Sequence, residues 1–242
     1  SRAPDYFVLD VPRAGEAEFR RAVAETAPGA TVRTVPALRG KILAYGPEGA
    51  MTRVSQLGEI PDGAWALRGE RGLTYADAVP EGNSVTAGGW WPAGYRGEPL
   101  VSVEDKLAEA LGLRIGDRVT VGVLGVERTA RIASFRRIDW DSMGFNYVLV
   151  FSPNTLADAP HNLAATLDLP PGARRSGLLP RLAKAFPSSS VIEDAAPEVA
   201  PKEGSWNQMP GRSLDHARAS IPPSSMGPSS DSPVRLSVMV ML

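Results

Sequence analysis

The hydrophobic positions fall into short alternating runs interrupted by a few helical ones. Asp5 to Val11 (DYFVLDV) places Tyr6 and Val8 on one side of an extended chain and Phe7, Leu9 and Val11 on the other. That predicts a strand covered on both faces. Across Ala14 to Ala27 the apolar residues Phe19, Val23 and Ala27 share one side of a helix, Glu16, Glu18, Arg20, Arg21 and Glu25 can face water, and Pro28-Gly29 ends it. Thr31 to Val35 and Lys41 to Tyr45 predict a second and a third strand. Leu38-Arg39-Gly40-Lys41-Ile42 joins them and reads as a solvated connection, since no helix start follows to complete an anion site. The first 45 residues thus read as β-α-β.

Leu100 to Ile132 is the most regular stretch, a strand, a helix, a tight turn and a hairpin. Ser102 is placed to cap the helix, with Asp105 bonding back in the manner of a capping box. Val103, Leu107 and Leu111 share one face, and Gly112 stands where a C-terminal cap belongs. Gly116-Asp117 turns the chain. Val119, Val121 and Val123 then alternate with Arg118, Thr120 and Gly122, Leu124-Gly125 reverses the direction, and Ala130 and Ile132 continue the apolar face.

Elsewhere the pattern is weaker. Gly46 to Pro99 is turn-rich, with short strands at Trp65 to Arg68 and Ser84 to Ala87 and a loop bracketed by Gly72 to Tyr75 and Pro80 to Asn83. Asn146 to Phe151 is an apolar strand stopped by Ser152-Pro153, and Asn162 to Leu169 alternates. Gly177 to Phe186 forms a short helix with Leu178, Leu179, Leu182 and Ala183 on its apolar side, and Val191-Ile192 opens a last strand. Residues 146 to 193 therefore give a second β-α-β. The expected fold is α+β, a split β-α-β lobe made by both chain ends (residues 1–59 and 146–195) with a smaller β-rich lobe (60–145) inserted between them. Residues 196–242 lose the periodicity, become rich in Pro, Ser and Gly, and read as a disordered tail ending in the short apolar run LSVMVML.

Composition narrows the chemistry. The net charge of −1 over 242 residues provides no field for nucleic acid. Cysteine is absent, which removes disulfides, thiolate metal sites and cysteine nucleophiles together. The apolar runs are far shorter than a bilayer crossing. There is no phosphate-cradling Gly-Lys-Ser/Thr loop, no Gly-x-Ser-x-Gly elbow, and neither His161 nor His216 has a partner at metal or catalytic spacing. We expect no catalytic, cofactor or metal site.

Two motifs remain as candidate contacts. Trp90-Trp91 can form a hydrophobic platform for a ligand, as in a periplasmic or secreted binding module, or close the end of a small core. Asp139 and Asp141 point the same way on an extended chain, which suits a divalent cation or acid-base work. No third carboxylate or histidine lies nearby, so surface ion pairing with Arg136 and Arg137 around a buried Trp140 is the expectation. Trp90, Trp91, Asp139, Trp140 and Asp141 are the residues we single out for contact with a partner or substrate.

The same residues carry a resemblance. Pro36 to Ile42 (PALRGKI), Gly82-Asn83-Ser84-Val85, Gly88-Gly89-Trp90-Trp91, the series Ser102, Glu104, Leu107-Ala108, Leu111-Gly112 and Gly116-Asp117, and above all Arg136 to Met143 (RRIDWDSM) followed by Asn146 and Val150 to Pro153 appear in order. Phe186-Pro187-Ser188 to Val191-Ile192 matches a closing helix and strand. From about Pro4 to Asp194 the chain resembles the extracytoplasmic (periplasmic core) domain of bacterial ABC transporter permeases of the FtsX/MacB type. It is most like the large permeases associated with lysophospholipase biosynthesis, which pair with a LolD-like ATPase. The resemblance implies a porter-like lobe with an inserted lobe, sited at the cell inner membrane and facing the periplasm or cell exterior. It implies no catalysis in the domain itself. The implied partners are a cytoplasmic ATP-binding subunit, reached through membrane helices this chain lacks, and a second permease copy or an envelope protein. The implied role is movement or extraction of a lipid, lipoprotein or other hydrophobic substrate at the envelope.

Overall fold

The computed structural model describes residues 3–141 and 144–193; the expected tail lies outside the described residues. In chain order, β1 (Tyr6–Pro12) leads through a short 3-10 turn into α1 (Glu16–Thr26), β2 (Thr31–Gly46) and β3 (Thr52–Arg53). Next come β4 (Arg71–Tyr75), β5 (Asn83–Gly88), β6 (Leu100–Glu104), α2 (Asp105–Leu111), β7 (Arg118–Val123) and β8 (Val126–Ile138). The chain closes with β9 (Leu149–Phe151), α3 (Pro153–Leu156), β10 (Asn162–Asp168), α4 (Leu178–Ala185) and β11 (Ser190–Glu193). The fold is mixed α/β and rich in strand.

One end of the sheet runs β11-β1-β10-β2, each pair antiparallel. The helices α1 and α4 pack on one of its faces, because Phe19, Ala22 and Val23 of α1 and Leu178 and Leu182 of α4 share a core with Tyr6, Val8, Leu163, Ala165 and Leu167. Phe19 meets Phe186 edge to face, with ring centroids 5.7 Å apart. Each buried Phe, Val or Leu among these contributes roughly 1.5–3 kcal/mol, so this apolar stripe, not intrinsic helix propensity, holds α1 in place. Leu179 and Ala183 of α4 do not join the stripe; they face outward.

The remaining pairings close on themselves. From β2 the ladder passes to β4, β9, β6, β8 and β7 and returns to β2. Every strand of this circuit sends apolar side chains into one second core: Leu38 and Ile42, Leu73, Leu149 and Phe151, Val101 and Val103, Ala130 and Ile132, and Val119, Val121 and Val123. A closed circuit leaves its members no unpaired edge. Leu149–Phe151 thus sits between β4 and β6 in this circuit, not beside β10. The second β-α-β is β10-α4-β11 and starts later than residue 146.

β2 belongs to both cores. Its first half pairs with β10, its middle with β4 and its last part with β7. The expected break at Arg39-Gly40-Lys41 is absent. Gly40 serves close approach instead: a Cβ there would stand 2.6 Å from the Gly122 carbonyl oxygen and 2.8 Å from Leu73 Cδ1. One further reading changes: Trp65–Leu67, expected as part of a strand, is a 3-10 turn. Gly72 to Tyr75, on the near side of the expected loop, belongs to β4 and is buried across Gly72-Leu73-Thr74.

Two glycines are required for different reasons, and urea unfolding measures what each contributes. Gly40→Ala is expected to cost about 1–3 kcal/mol by overpacking against Gly122 and Leu73. Gly116 has φ 95° and open space around a would-be Cβ. Gly116→Val should cost about 1–3 kcal/mol through the backbone alone. A midpoint unmoved by Gly116→Val contradicts the turn assignment.

Candidate functional site

In β8 the inward positions are Ala130, Ile132, Ser134, Arg136 and Ile138. Arg136 is therefore carried by strand parity into the interior, where it is fully buried. Removing a guanidinium from water is costly unless its N–H groups find acceptors. Here Nε donates to Ser102 Oγ at 3.0 Å, Nη1 to Asn83 Oδ1, and Nη2 to the carbonyl oxygens of Tyr147 (2.8 Å), Val148 (3.2 Å) and Ser102 (3.3 Å). Ser134 Oγ donates to Ser102 Oγ at 2.7 Å. One side chain so ties β5, β6, β8 and the segment before β9. Burial lowers its pKa to about 10, against which the charges of Glu104 and Asp105 work, so it stays a cation at neutral pH.

This cluster explains a correction at α2. Ser102 is engaged inward, so the cap passes to Glu104, whose carboxylate accepts from the Leu107 amide at 2.8 Å. Burial raises the Glu104 pKa, and the Leu107 and Lys106 amides oppose that rise. The expected C-cap is as placed: Gly112 is left-handed, and the Leu113 amide donates to Ala108 O at 2.9 Å.

The Asp139-Trp140-Asp141 motif forms a turn just beyond β8. The Asp141 amide donates to Asp139 Oδ1 at 3.1 Å, so the two carboxylates do not sit on an extended chain. Trp140 is half-buried rather than buried and borders a polar cavity of about 450 Å³ with Glu104, Asp105, Lys106, Glu109 and Arg137. Arg137 reaches Asp105 at 3.7 Å, while Arg136 is engaged as above; the expected pairing of these arginines with Asp139 and Asp141 is replaced. Among the described residues no three His, Asp or Glu side chains are grouped to hold a metal ion.

Trp90 and Trp91 stack on one another, with centroids 4.1 Å apart and planes 30° from parallel. Trp91 is buried and donates to Ala76 O at 2.8 Å; Trp90 is half-buried and donates to Asp77 O at 2.9 Å. The Gly94 amide adds a bond to Asp77 Oδ1 at 3.1 Å. The pair pins the loop after β5 to the end of β4.

One polar contact had no local signal, because its members lie far apart in sequence. His161 Nδ1 is 2.6 Å from Ala159 O, and Nε2 is 3.0 Å from the Tyr75 hydroxyl. A carbonyl can only accept, so the network assigns the proton to Nδ1 and makes Tyr75 the donor to Nε2. Burial lowers the His161 pKa, and the nearby Arg13 cation adds to this. The ring borders a groove of about 640 Å³ that also contains Asp10, Arg39, Lys41, Glu70 and Glu127. Asp10 itself has φ 59° where the β1–β10 register breaks. Asp139 and Asp141 line neither this groove nor the Trp140 cavity.

The sheet with its two helices, joined through β2 to a closed strand circuit, defines a mixed α/β domain. No protein-family profile matches the chain. It is 30% identical over 131 residues to the uncharacterized ABC transporter permease YbbP of Escherichia coli (strain K12), a match over 54% of this chain. The chain spans only 15% of that protein's length. A crystal structure of a domain assigned to a permease protein of Porphyromonas gingivalis aligns over 74% of this chain and 84% of that one, at 15% identity and a TM-score of 0.42. YbbP is named as a permease, not as an enzyme.

Arg136→Met leaves the acceptors at Asn83, Ser102, Tyr147 and Val148 without their donor. It should cost about 3–5 kcal/mol in denaturant unfolding. A loss below about 1 kcal/mol would show the cluster to be replaceable. For His161, a folded pKa below the unfolded value means that the unfolded chain binds the extra proton first. Its stabilisation is complete above the unfolded value, roughly 6.5, and fades as pH falls through the lower folded value. The stability difference between wild type and His161→Gln should thus shrink on acidification, and a pH-independent difference contradicts the lowered pKa.

Proposed function

We propose that this chain is an extracytoplasmic domain of an ABC transporter permease of the FtsX/MacB type, of the kind associated with lysophospholipase biosynthesis. The observation that carries the reading is the 30% identity to YbbP over 131 residues. The ordered motif series ending in Asp139-Trp140-Asp141 supports it. In this reading a cytoplasmic ATP-binding subunit hydrolyses ATP, and the external domain converts the resulting motion into transport or extraction of a lipid, lipoprotein or other hydrophobic substrate at the envelope. The domain contributes rigidity and contacts, with no bond-making chemistry of its own.

Two lobes suit that task. The proposed porter-like lobe uses both chain ends, and its support is the separate core formed by α1, α4, β1 and β10. The inserted lobe has as its support β4, β6, β7 and β8 of the closed circuit, which β2 and β9 of the first lobe complete. Because β2 joins both cores, a displacement of one is felt by the other. Trp90, with Trp91 fixed beneath it, and the Asp139-Trp140-Asp141 turn are the proposed contacts for a second permease copy, an envelope protein or the substrate.

Orientation tests the reading directly. The chain has no cysteine, so Glu18→Cys on the exposed side of α1 introduces one unique thiol. In the gene product that contains this chain, with any cysteine elsewhere replaced by Ser, that thiol should react with a membrane-impermeant maleimide in intact spheroplasts. Reaction only after lysis would overturn the placement outside the membrane.

A further inference from the structure

The hairpin of β7 and β8 carries an apolar tip. Val123 pairs with Val126, which leaves Leu124 and Gly125 as a two-residue loop. Both have positive φ, 49° and 79°, the backbone of a type I′ turn. Such a turn favours asparagine before the glycine, because a left-handed backbone crowds a larger side chain. Leucine stands there instead, 73% exposed, and Val126 beside it is 52% exposed. One exposed apolar side chain is ordinary. One held in an unfavourable backbone at a hairpin tip, next to a second, is a knob that the packing of this chain does not use.

Next to the knob is a hole. Leu124 borders the groove of about 640 Å³ beside His161, together with Leu43 and Pro160. Leu43 is half-buried and follows Ile42, which points into the second core, so strand parity turns Leu43 outward. The charges at this groove are unevenly matched. Arg39 reaches Glu70 at 3.5 Å, and Arg53 reaches Glu127 at 3.2 Å. Lys41 and Asp10 also border the groove and are exposed, and neither side chain has an ion pair or hydrogen bond among the described residues. One patch therefore holds a knob, a groove, a spare cation and a spare carboxylate. A surface that carries both halves of each contact is complementary to itself, and a twofold axis makes every such contact twice. A lipid surface would leave the groove and the Asp10 carboxylate unanswered.

We propose that this face is a site of twofold self-association, in which Leu124 of each copy enters the groove of the other against Leu43 and Pro160, and Lys41 of each faces Asp10 of the other. A contact of one knob and one groove a side lies at the low end of interface sizes, so the dimer is weak and concentration-dependent. The site uses none of the residues named above as contacts at Trp90, Trp91 and the Asp139-Trp140-Asp141 turn, and it does not require the permease reading.

Sedimentation equilibrium of the full chain from about 10 to 500 µM tests it, the span in which an interface of this size associates. Wild type should show a monomer–dimer equilibrium. Leu124→Asn supplies the residue the turn favours, so it should unfold at no lower urea concentration than wild type. It should nevertheless weaken dimerisation about 100-fold, because both apolar contacts are lost. Lys41→Gln and Asp10→Asn should each weaken it about fivefold and the double variant no further, because each removes the same reciprocal pairs. These two decide the matter if Leu124→Asn fails to fold. The proposal is overturned if wild type stays monomeric throughout, if the dimer survives Leu124→Asn unchanged, or if the two charge variants add. In a monomeric chain, binding to phospholipid vesicles that Leu124→Asn abolishes would assign the knob to a lipid surface instead.

Discussion

A single buried guanidinium constrains the closed strand circuit. Among the described residues no carboxylate touches Arg136; its charge is met mainly by backbone carbonyls and by the side chains of Ser102 and Asn83. Such an arrangement is satisfied in one geometry and costly in others, since a shifted strand would leave either the cation or its acceptors unpaired. β5, β6, β8 and the chain entering β9 are consequently fixed relative to one another. The position of Tyr147 follows from this, and so does the transfer of the α2 cap from Ser102 to Glu104. Local features that look independent in the sequence are consequences of one desolvated cation.

The second constraint is the length of β2. A strand that lies in the helix-covered sheet and then in the closed circuit cannot rotate in one without moving the other. Gly40 permits this at the crossing, because any side chain there would strike Gly122 and Leu73. The groove with His161 is lined by residues of this strand. It thus opens where the two cores meet, the place where packing is least able to fill space and where binding sites are most often found.

Much of this organisation was legible in the sequence wherever one face alternates or repeats cleanly. β1, α1, β10, and the run from β6 through the β7–β8 hairpin announce themselves by period. Four features were not legible, each for a physical reason. Gly40 between Arg39 and Lys41 has the look of a loop, because close approach of two backbones leaves no trace in hydropathy. Closure of the circuit depends on β9, whose few residues could pair with several neighbours. Arg136 carries a charge that argues for water, although its parity with Ala130, Ile132, Ser134 and Ile138 argues for the core; here parity prevailed. The Trp90-Trp91 pair was visible as a motif, but its division into a buried anchor and a half-exposed partner required the hydrogen bonds to Ala76 and Asp77. The meeting of His161 with Tyr75 had no local signature at all.

The account depends most on Arg136 being a desolvated, fully engaged cation, and its own N–H groups report this directly. In protein labelled with 15N-arginine, the Arg136 side-chain N–H resonances should be resolved, dispersed and slow to exchange with solvent at neutral pH, unlike those of exposed Arg137. Side-chain exchange at Arg136 as fast as at Arg137 would mean that the guanidinium reaches water, and the order attributed to it would need another cause.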